Sequence, residues 1–181
     1  MAAGAPSPGK GTIPLSEAGP KKYESTAIYV PDGEGPVKWV AGDEYTIKIS
    51  GAQSNGTLGF VLATVPPGGG PIAHIHTTGD ETFYILDGEL EFLNGEEVFD
   101  IRTGDFVFVP RGTRHRFTNK GTRDARMLFL FTPGGQEEFF LRYGDEPLPG
   151  HGPELWPIER YTPEMLAFVE ELGNVLAPEE G

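Results

Sequence analysis

The chain has no cysteine among its 181 residues. Disulfides, thiolate nucleophiles and iron–sulfur clusters are thereby excluded, as is any zinc site that relies on sulfur. The absence fits a cytoplasmic protein. Basic residues are few: 14 Lys and Arg stand against 27 Asp and Glu, a formal charge of −13. Nucleic acid and anionic membranes both need a basic footprint, so neither is expected as a partner. The acidic excess serves solubility. No run approaches the ~20 apolar residues of a membrane span. Met1 to Pro20 is rich in Ala, Gly, Pro and Ser without a continuous apolar run. It reads as part of a loose N-terminal arm, set at residues 1–22, and not as a secretory signal.

What is present is turn residues and aromatics. Gly (26) and Pro (17) suit many tight turns and argue against a helical bundle. Twelve Phe, six Tyr and two Trp supply a core that a disordered chain would lack. The length fits one domain. Between Tyr23 and Tyr143, short β-like runs alternate with turns: Glu44–Ser50, Leu58–Val65, Ile72–His76, Thr82–Leu86, Leu90–Leu93, Glu97–Ile101, Phe106–Val109, Thr113–Phe117 and Arg126–Phe131. Leu58–Val65 is apolar on both alternating faces, which predicts a sheet wall covered from outside. Asn94-Gly95 predicts a type I′ hairpin turn. Many short strands with Gly/Pro turns predict an all-β sandwich or barrel over residues 23–145. Residues 146–181 are expected to form a loop and helix packed on it. Two helices are predicted: Gln136–Tyr143, stopped by Gly144, and Glu164–Leu172, with Thr162 as N-cap and Pro163 in the first turn. Met165, Phe168, Leu172 and Val175 follow helical spacing.

Three of the four histidines fall in two short motifs. In the first, Gly68 is followed by His74-Ile75-His76, Glu81 and Gly88. His74 and His76 are two apart, so on a strand both imidazoles share a face. Thr77 to Asp80 is turn-like and brings Glu81, on the next strand, within reach. In the second, Gly104 is followed by Pro110, Gly112, His115 and Asn119. Three imidazoles and one carboxylate make a borderline nitrogen/oxygen set that suits a divalent first-row metal: Fe, Mn, Co, Ni, Cu or Zn.

These two motifs resemble the signature pair of the cupin superfamily, with no departure at the defining positions. The resemblance is strict over Gly68 to Asn119 and looser over Lys38 to Gly144. It implies a jelly-roll β-barrel in which His74, His76, Glu81 and His115 bind one metal ion. The segments PPGGGP-x-x-HIH, ETFYILDGELEF, GDFVFVPRGTRHRFTN and LFLFTPGGQEEFF are also similar to single-domain bacterial cupins of the quercetin 2,3-dioxygenase-like group. That similarity implies an oxidoreductase using O2 on a flavonol-like or other phenolic, enol-bearing aromatic small molecule, with Glu81 also accepting a substrate proton. A redox-neutral metal-dependent cyclase or isomerase, and a binding module without catalysis, are the other expectations. A homodimer through edge strands or terminal arms is expected, with Tyr23–Val30 as a segment for exchange.

Other candidates carry less. His151 lies in a Pro/Gly-rich loop and reads as a surface residue. PPGGGP is not a phosphate loop. Arg111, Arg114, Arg116, Arg123 and Arg126 are expected mostly to point outward and pair with the acidic surface, with Arg114 the candidate to reach the barrel mouth. Phe60, Phe83, Phe92, Phe106, Phe108, Phe117, Phe129 and Phe131 are expected to fill the interior.

Overall fold

The computed structural model describes residues 27–179. The arm expected at residues 1–22, and residues 23–26 of the proposed exchange segment, lie outside them. Among the described residues the strands are β1 Val37–Val40, β2 Asp43–Ile49, β3 Gly59–Val65, β4 His74–His76, β5 Asp80–Asp87, β6 Glu89–Asn94, β7 Glu97–Arg102, β8 Phe106–Val109, β9 Arg114–Thr118, β10 Ala125–Thr132 and β11 Asn174–Leu176. The helices are α1 Glu138–Tyr143 and α2 Pro163–Glu171. Two antiparallel sheets result, ordered β1-β2-β3-β10-β5-β8 and β11-β4-β9-β6-β7. This is the all-β jelly-roll architecture.

Strand alternation sets the interior. Along β3, Val61, Ala63 and Val65 are buried while Phe60, Leu62 and Thr64 are half-exposed. Phe83, Phe92 and Phe129 are among the largest fully buried side chains. Phe83 meets Phe92 edge-on with ring centroids 5.4 Å apart, a geometry that adds ~1 kcal/mol to the burial of such rings. The buried Glu137 carboxylate ties two loops together by accepting from the amides of Gly51 (2.5 Å) and Gly135 (2.9 Å). Asn119 does similar work at the other motif. Its Nδ2 donates to the carbonyls of Val65 and Arg123, both at 2.8 Å, and its Oδ1 accepts from the Gly121 amide.

Five local expectations change. The β6–β7 hairpin pairs Asn94 with Glu97, so its two turn residues are Gly95 and Glu96. Gly95 has φ +65°, and Glu96 is not in the positive-φ region. Only the first central residue is left-handed, which is the type II′ pattern and not type I′. Phe106 and Phe108 are exposed, at 63% and 54%. On β8 the inward positions belong to Val107 and Val109, and period-two alternation turns both phenylalanines out. α1 starts at Glu138, not at Gln136, and ends at Gly144 as expected. Glycine is needed there for space, since a Cβ would sit 2.5 Å from the Phe140 carbonyl oxygen. Val175 is not helical. Asn174–Leu176 is a strand paired with β4, with Asn174 opposite His76 and Leu176 opposite His74. Ile72 and Ala73 lie outside β4.

α2 matches its expected N-terminus. Thr162 caps it by accepting from the Met165 amide at 3.2 Å, with Pro163 in the first turn. No helix of the described residues is long and apolar enough to cross a membrane.

Candidate metal centre

His74 and His76 stand on β4 and His115 on β9, with His74 directly opposite His115 in the register. All three belong to the five-stranded sheet. Glu81 stands on β5 of the six-stranded sheet, opposite Phe131 and Val109. The four side chains meet between the sheets, with one ligand-type atom from each lying within 4.8 Å of the others. Glu81, His76 and His115 are buried, and His74 is half-buried. Glu81 Oε2 lies 3.0 Å from His76 Nε2 and 2.9 Å from His115 Nε2.

The outer nitrogens fix how the rings present themselves. His74 Nδ1 donates to the Ile72 carbonyl at 2.8 Å, and His115 Nδ1 to the Thr113 carbonyl at 3.0 Å. Carbonyl oxygens only accept, so both Nδ1 atoms carry hydrogen. His76 Nδ1 contacts Asn174 Oδ1. Each neutral ring therefore turns an Nε2 lone pair inward. Lone pairs converging on a carboxylate oxygen repel it unless a cation lies among them. This donor set fits a divalent transition ion.

With no ion among the rings, protons on the inward nitrogens take its place: burial pushes the Glu81 carboxyl up, but hydrogen bonds from His115 and His76 and their charges override it and hold Glu81 below the usual carboxylate range. Burial, with the neighbouring His115 and His76, pushes His74 down to about 3. His74 is thus neutral at pH 7, as a metal ligand must be. For His76 burial acts downward, yet the Glu81 contact outweighs it and the net direction is up.

The cluster forms one wall of an open cavity lined mainly by aromatic and aliphatic side chains, the composition usual for small-molecule sites. Phe83, Phe117, Phe129 and Phe131 line its interior, and Trp156, Leu166 and Val169 come from the C-terminal segment. Arg114 does not line it; its Nε donates to the Ala177 carbonyl at 2.7 Å. Arg111 pairs with Asp80 and Arg116 with Glu91 and Glu179 at the surface. His151 is exposed in its loop and is not part of the cluster.

Two groups of cavity residues escaped the reading of the sequence. The first is Asp43 with Tyr45, whose hydroxyl donates to Asp43 Oδ2 at 2.8 Å. Burial pushes the Asp43 carboxyl up to about 7, against the pull of the Tyr45 hydroxyl and the Gly70 amide. Asp43 is one of 27 acidic residues and lies outside both histidine motifs, so nothing in the sequence singles it out. The second is Gln136 and Asn174, which reach the cluster from distant parts of the chain.

Residues 61–131 match the cupin domain family. The chain is a cupin. Relatives and solved structures place this cupin among diverse company. It is 31% identical over 147 residues to quercetin 2,3-dioxygenase of Bacillus subtilis, covering 80% of this chain and 41% of that one. It is 33% identical over 97 residues to a tetracenomycin polyketide synthase protein of Streptomyces glaucescens, covering 53% of this chain and 63% of that one. The chain therefore spans less than two thirds of either relative. A crystal structure of a predicted oxalate decarboxylase from Thermotoga maritima aligns with TM-score 0.55 and 25% identity, over 59% of this chain and 99% of that one.

Proposed function

We propose that this cupin is a metal-dependent dioxygenase acting on a flavonol-like or other phenolic, enol-bearing aromatic small molecule. The observation that carries the reading is the meeting of three inward Nε2 atoms and one carboxylate at the wall of a phenylalanine-lined cavity. His74, His76, Glu81 and His115 would hold the ion. A divalent transition metal bound there supplies Lewis acidity and, if redox-active, a route for electrons from substrate to O2. The likeness to quercetin 2,3-dioxygenase over most of the chain supports the oxidative reading.

The protein's own groups have separable tasks. Both histidine contacts of Glu81 fall on Oε2, which leaves Oε1 to take the proton of a substrate hydroxyl. Phe83, Phe117, Phe129 and Phe131 orient an aromatic ring against the cluster. Trp156, Leu166 and Val169 add apolar lining from the C-terminal segment and help exclude water from reactive species. Both oxygen atoms of O2 end in the product, so the substrate is the reductant and no other donor is required.

A redox-neutral cyclase or isomerase is the second reading, favoured by the likeness to the polyketide synthase protein. A binding module without turnover is the third. Oxygen uptake separates them. Metal-free protein is reconstituted with Fe(II), Ni(II), Co(II), Mn(II) or Zn(II) and given flavonols and other phenolics. Uptake with a redox metal, lost in His76→Ala, is the expected result. Product formed equally without O2 would establish the cyclase reading instead, and stoichiometric ligand binding without product the binding module.

The reading includes a homodimer. Tyr84 and Leu86 on β5 and Phe106 and Phe108 on β8 project from the outer face of the six-stranded sheet, each at least 36% exposed. Tyr84 pairs with Phe106 across the strands, so the patch is continuous. A second copy packed on it would cover an apolar surface of the kind that marks interfaces.

A further inference from the structure

His76 is held by a chain of hydrogen bonds whose direction is fixed from its far end. The Leu172 carbonyl, at the C-terminal end of α2, can only accept. It takes a hydrogen bond from Gln136 Nε2 at 2.8 Å. The Gln136 amide is therefore oriented with Oε1 toward Asn174, where it accepts from Asn174 Nδ2 at 2.7 Å. Asn174 must then present Oδ1 to His76 Nδ1. An acceptor at that position requires hydrogen on Nδ1 and leaves the Nε2 lone pair facing Glu81 and the other two imidazoles. One backbone carbonyl thus dictates, through two amides, which nitrogen of His76 is free to bind a cation.

The placement is built and not incidental. Asn174 is the β11 residue directly opposite His76 on β4, and side chains so paired share a face. Gln136 is 7% exposed and lines the same cavity. The surrounding segment is clasped to the turn after β4. Gly173 O accepts from the Thr77 amide at 2.7 Å and from the Thr77 hydroxyl at 2.8 Å. Leu172 O also accepts from the Thr78 hydroxyl at 3.1 Å. His74 and His115 rely on backbone carbonyls two residues away in their own segments. His76 alone among the three depends on side chains distant in sequence.

We propose that Asn174 and Gln136 are positioning residues of the metal centre, Asn174 fixing the ring orientation and tautomer of His76 and Gln136 fixing the amide of Asn174. This inference rests on the reading of the four-residue cluster as a metal site. It makes the C-terminal segment, which also supplies Leu166 and Val169 to the cavity lining, part of the metal centre's support.

The test is Ni(II) affinity of the full chain, measured by competition with a chromophoric chelator. Zn(II)-loaded protein then reports the His76 ring nitrogens by 15N NMR. Asn174→Leu removes the acceptor at similar volume and is expected to weaken Ni(II) about 10–100-fold, with loss of the slowly exchanging Nδ1–H signal of His76. Asn174→Asp keeps an acceptor while losing the amide donor. It is expected to bind Ni(II) at least as tightly as the parent, whereas a merely structural amide predicts that Asp harms as much as Leu. Gln136→Leu frees the Asn174 amide to turn over and should weaken Ni(II) by about tenfold or less. Val175→Ala, on the outward side of β11, serves as the control for strand stability and should leave affinity unchanged. If Asn174→Leu folds poorly, the Asp variant and Gln136→Leu still decide. Equal affinity and equal His76 spectra in parent and Asn174→Leu would overturn the inference alone. Failure of the parent to bind either ion would overturn the metal-site reading, and this inference with it.

Discussion

The two sheets share an interior but divide its work and face outward differently. The five-stranded sheet contributes three imidazoles inside and a charged exterior outside, where Arg116 pairs with Glu91 at 3.0 Å and with Glu179 at 2.5 Å. The six-stranded sheet contributes the Glu81 carboxylate to the cluster, with Asp43 and several phenylalanines also inside, and leaves Tyr84, Leu86, Phe106 and Phe108 bare outside. On one exterior the exposed apolar side chains, Val98, Phe99, Val175 and Leu176, sit on the two edge strands β7 and β11, apart from each other; on the other they lie side by side on the paired strands β5 and β8. Placing the neutral donors on one sheet and the charge on the other also makes the centre depend on both, so an ion bound there ties the two layers together.

The largest expected effect comes from the imidazoles. His115→Ala or His76→Ala removes a donor from a buried set and should abolish stoichiometric metal binding, read as metal content after desalting. Metal should also raise the Tm of the parent protein and leave that of His115→Ala where it was, because an ion that binds only the folded state stabilises it by mass action. Glu81→Gln keeps the shape but removes the charge from the opposite sheet. It should weaken the metal by an amount between those variants and the parent, and stop proton uptake from substrate. Turnover at the parent rate in Glu81→Gln would contradict the assignment of Glu81 as base.

The exteriors should respond to different substitutions. Phe108→Lys on the six-stranded sheet should shift the protein from dimer to monomer in light scattering, with metal content unchanged. Arg116→Ala on the five-stranded sheet breaks the half-buried ion pairs to Glu91 and Glu179 and should leave oligomeric state and metal alone.

Asp43 gives a smaller, pH-dependent signal. Its carboxyl lies at about 7 in the folded protein against an ordinary 3.8. Between these values the folded form holds a proton that the unfolded form has released, so stability falls as pH rises across that window. Asn at this position does not titrate. The Tm of Asp43→Asn relative to the parent should therefore climb from about pH 4 to about pH 7 and then level off. A constant difference across that range would contradict the burial of an ionisable carboxyl there.

The four members of the cluster were legible in the sequence because their geometry is local. Two histidines two apart on a strand, and a glutamate just past a turn, need little tertiary knowledge to be placed on facing surfaces. His115 was legible through its motif. Asn174 was not, because it acts through the register of a three-residue strand that pairs with β4 from 98 residues away, and so short a strand leaves no alternation to read. Phe106 and Phe108 differ from expectation because β8 is apolar on both faces, so its alternation does not say which face turns inward; the structure gives that face to Val107 and Val109. The β6–β7 turn slipped by one residue because Asn94 and Gly95 match one turn type while the strand register demands another.

If both sheets together hold one divalent ion through His74, His76, Glu81 and His115, metal content reads it out. Protein stripped of metal, loaded with Ni(II) and desalted should carry about one ion per chain, and His115→Ala treated identically should carry almost none. Equal metal in the two proteins would contradict the claim.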